Sequence, residues 1–197
     1  MSGSLNSFKS LVQEVRQCRL CEAHLPLGPN PVFQIHQDAR VLIAGQAPGV
    51  KVHESGIAFN DASGERLRSW MGLDNATFYD ANQIAILPMA FCYPGRGKSG
   101  DLPPRPECAP AWREQLLEAL PNLKLTLVIG KYAQAWHLPD AKYSTLTSLV
   151  QNWRLCSPNI IPLPHPSPRN NIWLKKNPWF EEKLVPQLAK RVQSALK

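Results

Sequence analysis

The stretch Val41-Leu42-Ile43-Ala44-Gly45-Gln46-Ala47-Pro48-Gly49 decides the fold. Four apolar residues without a polar interruption read as a strand buried on both faces, and the Gly/Pro-rich segment behind them ends it sharply. Three more β-prone runs share this grammar: Ile84–Leu87, Leu125–Ile129 and Ile160–Leu163. Helix-like stretches lie between and around them, at Gly64–Met71, Pro110–Leu120, Lys131–Trp136 and Ser144–Trp153. The opening Met1–Gln17 is amphipathic, with Leu5, Phe8, Leu11, Val12 and Val15 at helical spacing and Ser4 as a cap. The tail from Pro178 is helical again, kinked at Pro186. Strands alternating with helices predict an α/β protein with a mainly parallel sheet and helices on both faces. With no internal repeat and no interdomain linker, the 197 residues are expected to form one domain, 1–197.

The segments directly after the strands matter most. Val41–Ala44 runs into Gly45–Gly49, Ile84–Leu87 into Pro88-Met89-Ala90-Phe91-Cys92, and Ile160–Leu163 into Pro164-His165-Pro166-Ser167-Pro168-Arg169-Asn170-Asn171. Open α/β sheets bind ligands at the carboxyl ends of their strands. These segments are therefore expected to converge on one cleft. Many of the chain's 19 prolines lie in them, which suits a stiff, preorganised site.

The formal charge is +7, which points to an anionic partner, nucleic acid first. From Ala141 to Phe180 there is no Asp or Glu, while Lys142, Arg154, Arg169, Lys175 and Lys176 fall there beside Trp153, Trp173 and Trp179. Basic residues interleaved with aromatics suit a phosphate track with stacking surfaces; a solvated face over core tryptophans is the alternative. No apolar run is long enough to span a membrane and the start is not a signal peptide, so the expected compartment is the cytoplasm.

Of the five cysteines, Cys18 and Cys21 form a C-x2-C pair, and Cys92 and Cys108 are separated by fifteen residues rich in Pro and Gly. In a reducing compartment such a set argues for metal or cluster ligation rather than disulfides. Sulfur ligation admits zinc or an iron–sulfur cluster, and two buried inert pairs are the remaining reading. Cys156 has no partner in the pattern and reads as a core thiol.

Gly45-Gln46-Ala47-Pro48-Gly49, then Gly56-Ile57-Ala58-Phe59, then His165-Pro166-Ser167-Pro168-Arg169-Asn170 resemble, in order, the motifs of the uracil-DNA glycosylase superfamily. The cysteine pattern is similar to that of the family 4 and family 5 enzymes, which carry a four-iron, four-sulfur cluster. The third motif is closest to the single-strand-selective monofunctional branch. The resemblance runs from about Cys18 to Phe180 and implies a three-layer α/β/α sandwich on a central, mainly parallel four-stranded sheet. It implies a monofunctional DNA glycosylase of base excision repair, a monomer with DNA as its partner and no membrane. Cys18, Cys21, Cys92 and Cys108 would hold the cluster, with zinc as the lesser alternative. Gly45, Gln46, Ala47, Pro48 and Gly49 would hold the attacking water and touch the flipped nucleotide, Phe59 would stack on the base, and His165 would hydrogen-bond the departing base. Ser167, Pro168 and Arg169 would press into the duplex, with Asn60 and Asn170 among the substrate contacts. Phe59-Asn60-Asp61-Ala62-Ser63-Gly64 is similar to family 5, where an acid lies just after the aromatic.

The chain departs from the pattern in two places. Gln46 and Ala47 stand where many relatives have an acid or Asn, and Pro88 stands where uracil-selecting relatives have Asn. The resemblance thus implies the reaction class and not the base. For orienting water, Gln46 is joined by a carboxylate, Asp61 first and Glu54 second; Asp61 also reads as the N-cap of the following helix. His53 has no role beyond lying near the first motif. A non-catalytic iron–sulfur protein that binds or senses lesions is the runner-up, and an RNA- or nucleotide-directed hydrolase a third reading.

Overall fold

The computed structural model describes residues 2–98, 100–141, 143 and 145–197, and of residues 2–6 the backbone alone. The chain opens with α1 (Ser2–Arg16), and β1 (Val41–Ala44) leads to α2 (Val50–Ser55), α3 (Ala62–Met71) and α4 (Asn75–Phe78). After β2 (Ile84–Ile86) comes a small hairpin of β3 (Arg96–Gly97) and β4 (Gly100–Asp101), then α5 (Cys108–Glu118), β5 (Leu125–Ile129) and α6 (Gly130–His137). The chain closes with α7 (Leu146–Gln151), α8 (Trp153–Cys156), β6 (Ile160–Leu163), α9 (Asn171–Lys176) and α10 (Val185–Leu196). Ser4 lies inside α1 and so does not cap it. Lys142 and Ser144 lie outside the described residues.

The four long strands form one sheet in the order β2-β1-β5-β6, every pairing parallel. The apolar runs follow from this. A strand whose two neighbours are reached by helical crossovers is covered above and below, and its side chains alternate between two cores. Val41 and Ile43 of β1 and Ile84 and Ile86 of β2 enter the core built with α3 and α10. Leu42, Ala85 and Leu87 point the other way, to Val15 of α1 and Leu116 of α5.

The tryptophans of the acid-free stretch belong to this core, not to a stacking track. Trp153 is buried with Arg154 and Arg191 over its ring, and Trp173 and Trp179 pack edge-on against buried Phe180. The hydrophobic gain from burying an indole outweighs its use as an exposed platform here. Cys156 is half-buried against apolar neighbours, as a core thiol should be. In the tail, Pro186 sits in the first turn of α10, directly after a π-helical turn over Phe180–Leu184. The missing N–H is thereby placed where no intrahelical partner was needed.

Candidate active site

The loops after β1, β2 and β6 open into one cleft of about 580 Å³ at the carboxyl edge of the sheet. Backbone bonds knit two of them together: Met89 N–H donates to Gly45 O at 2.9 Å and Ala90 N–H to Gln46 O at 3.1 Å. Gly45 to Gly49, Phe59, Asp61, His165, Ser167, Pro168, Arg169 and Asn170 all line the cleft. Asn60 and Glu54 do not; both are exposed outside the lining. The chain reverses at Phe59, which turns that ring inward and the next side chain to solvent.

Among the described residues Phe59 is the non-glycine residue with positive φ, at 56°. An aromatic residue rarely adopts this conformation, and it persists only where its surroundings enforce it. Three sets of neighbours do so. Gly64 approaches so closely that a Cβ there would overlap the Phe59 carbonyl oxygen. Arg68 Nη1 and the Tyr79 hydroxyl each donate to that oxygen at 3.4 Å. Phe78 meets the ring edge-on at 6.3 Å. A Cβ on Gly45 would lie 3.6 Å from the ring, so the first motif's glycine forms the floor beside it.

His165 sits on a loop held from several sides. Gln134 donates to Leu163 O at 3.0 Å, Asn170 Nδ2 to His165 O at 2.7 Å, and Arg66 of α3 to the carbonyls of Pro166 and Ser167 at 3.3 Å each. Ser167 N–H donates to His165 Nδ1 at 3.2 Å. Nδ1 is therefore the acceptor, and the neutral ring carries its proton on Nε2. Burial pushes the His165 pKa down; the carboxylates of Asp61 and Asp101 oppose this and Arg169 reinforces it.

Asp61 caps α3, accepting from Gly64 N–H at 2.9 Å, while still lining the cleft. The Gln46 amide reaches across to Leu102 O at 3.4 Å. Tyr93, Arg96 and Asp101 also line the cleft, the last two brought there by the β3–β4 hairpin that no hydrophobic pattern announces. Its one advance sign is the spacing of Gly95, Gly97 and Gly100. Arg66 had no sequence signal at all. Pro88 lines the cleft, but its carbonyl accepts from Arg113 Nη1 at 3.2 Å.

Cys18, Cys21, Cys92 and Cys108 ring a second, small and apolar pocket. All five cysteines are free thiols. Among the described residues no group of three or more His, Cys, Asp or Glu meets the geometry of a metal-ion site. Burial pushes Cys92 up to about 11 and Cys108 up to about 12; backbone N–H groups of Asn30 and Phe91 oppose it. Trp112 Nε1 donates to Cys18 Sγ at 3.2 Å. Arg113, 1% exposed, stands near Cys108 and makes no ion pair among the described residues; it donates to the Leu87 and Pro88 carbonyls and to His137. Burial thus favours the neutral thiols and the donors aimed at sulfur only partly offset it, so a bound metal's own charge would have to hold the sulfurs ionised. Four free thiols around one pocket, with Trp112 and backbone N–H donors and the Arg113 cation nearby, fit a metal–thiolate group on those terms.

Among the described residues no helix is long and apolar enough to cross a membrane. A sequence model of one protein family, described as the uracil DNA glycosylase superfamily, matches residues 33–189, well over half of the chain.

Proposed function

The chain belongs to the uracil DNA glycosylase superfamily, and on that footing we propose that it is a monofunctional DNA glycosylase that hydrolyses the N-glycosidic bond of a damaged base, uracil or another deaminated or modified base. The carrying observation is the convergence of a neutral, Nε2-protonated His165 and the enforced Phe59 ring in one cleft. A base inside a duplex is out of reach, so the nucleotide must be extruded into that cleft. Phe59 stacks on the base, and Gly45 leaves room beside the ring. As the C1′–N bond breaks, negative charge gathers on the base. His165 Nε2–H donates to a base oxygen where that charge develops, a donor preorganised by Ser167, Asn170 and Arg66. Water reaches the sugar from the side of the Gly45–Gly49 loop, oriented by Gln46 and Asp61. Ser167, Pro168 and Arg169 stand at the rim, where the strand leaves the cleft.

Cys18, Cys21, Cys92 and Cys108 are proposed to hold a four-iron, four-sulfur cluster, with zinc as the lesser alternative. When bound, the cluster supplies cross-linking between the end of α1, the loop after β2 and the start of α5. Their shared pocket and the buried Arg113 cation support this reading.

Pro88, in the lining of the cleft, brings no side-chain hydrogen bond with which to select one base. The test is direct. The purified protein is incubated with oligonucleotides bearing single uracil, hypoxanthine, xanthine or alkylated bases. Strand breaks that appear only after alkali are expected for at least one. Breaks without alkali would exclude a monofunctional enzyme. Tight lesion binding with no abasic product from any of them would favour the lesion-sensing alternative.

A further inference from the structure

Hydrolysis needs an acceptor for the proton of the attacking water, and the cleft contains two carboxylates, Asp61 and Asp101. One oxygen of Asp61 is engaged in capping α3. Among the described residues the Asp101 carboxylate accepts no hydrogen bond and makes no ion pair. Its side chain is exposed at the edge of the cleft. Its Oδ2 lies 3.5 Å from where a Cβ on Gly49 would stand, so the carboxylate rests against the loop that follows β1. The hairpin that carries it is secured on three sides. Leu102 N–H donates to Gly95 O at 2.8 Å, the Gln46 amide meets Leu102 O, and the Arg169 guanidinium lies across Gly100, where any side chain would collide with it. The charge of Asp101 is felt at His165, which places the two on one site.

We propose that Asp101 is a further catalytic residue, the carboxylate that takes the proton of the attacking water, with Gln46 as a positioning residue for its hairpin. This rests on the glycosylase reading above. The water oxygen bonds to C1′, the C1′–N bond breaks, and its electron pair leaves with the base. The water proton passes to Asp101 and then to solvent. The base anion, held by His165 Nε2–H, takes up a proton from solvent, so the sum is one water consumed per bond cleaved.

Single-turnover base release is measured with the purified full chain on whichever lesion oligonucleotide the wild type cleaves. Asp101→Asn is expected to slow release about 100-fold or more, the usual contribution of a positioned general base. Binding to an oligonucleotide with a tetrahydrofuran abasic analogue should stay within about twofold, since an isosteric amide keeps the packing. Wild-type release in Asp101→Asn would overturn this assignment while leaving the glycosylase reading intact. Loss of abasic-analogue binding in step with the rate would overturn it too, as a binding or structural role. Absence of release by the wild type from every lesion would remove the glycosylase reading and this assignment together.

Discussion

At the scale of single residues, His165 and Phe59 show what a sequence can and cannot disclose. His165 stood out because it follows the last strand, and Phe59 through the resemblance of the motif that contains it. What makes them useful did not: the His165 tautomer is set by a backbone N–H two residues on, and the Phe59 conformation by Gly64 from the next helix. If His165 serves the transition state, His165→Ala should slow base release by about two to three orders of magnitude while lesion binding changes far less. Single-turnover rates and filter binding separate the two, and an unchanged rate would remove the residue from the mechanism. Gly64→Ala tests the enforced turn. Its new methyl overlaps the Phe59 carbonyl oxygen, so either the turn shifts or stability drops by roughly 1–3 kcal/mol, as overpacking does. A urea midpoint and a base-release rate both matching wild type would show that Phe59 is not held in this way. Asn60 is the converse lesson, since adjacency to a functional aromatic does not bring a side chain into the site.

At the scale of elements, the four strands of the main sheet were legible because each is an apolar run, broken only by Thr126 in β5, and the sheet order confirms why: every one is sandwiched. The β3–β4 hairpin was not legible, because strands of two residues have no periodicity to read, yet it carries Arg96 and Asp101 into the cleft. The side-chain contact between α5 and α6 was equally hidden. Arg113 Nη2 and His137 Nε2 lie 2.7 Å apart, and burial with the neighbouring guanidinium pushes His137 down to about 4 from 6.5. The unfolded chain thus binds a proton in the pH range between these values that the folded chain refuses. The His137 contribution is complete above about pH 6.5 and is lost as the pH falls toward 4, by roughly 2–3 kcal/mol. His137→Gln keeps an acceptor for Arg113 but cannot titrate. The stability difference between wild type and His137→Gln should therefore grow against the wild type across that range. Urea titrations at several pH values that run parallel for the two proteins would contradict the assignment.

At the scale of the whole molecule, the cysteines join parts that are distant in sequence: the end of α1, the loop after β2 and the first turn of α5. The spacing identified the set, and the fold gathers its members around one pocket; sulfur ligation alone could not choose the metal. A cluster there predicts a brown protein with broad absorbance near ~400 nm that bleaches on reduction. Cys92→Ser should lose the colour and Cys156→Ser keep it. A colourless protein with stoichiometric zinc would end the iron assignment. The sheet itself has two outer strands, and each is closed differently. Along β2, Gln34 and Ile86 exchange backbone hydrogen bonds of 3.0 and 2.7 Å. Along β6, Pro162 occupies the middle of the outermost strand and offers no N–H. An incoming chain finds no continuous ladder to extend on either flank, which is the usual protection against edge-to-edge stacking. The same two features that complete the architecture thus keep neighbouring molecules from polymerising through their sheets when the protein is crowded.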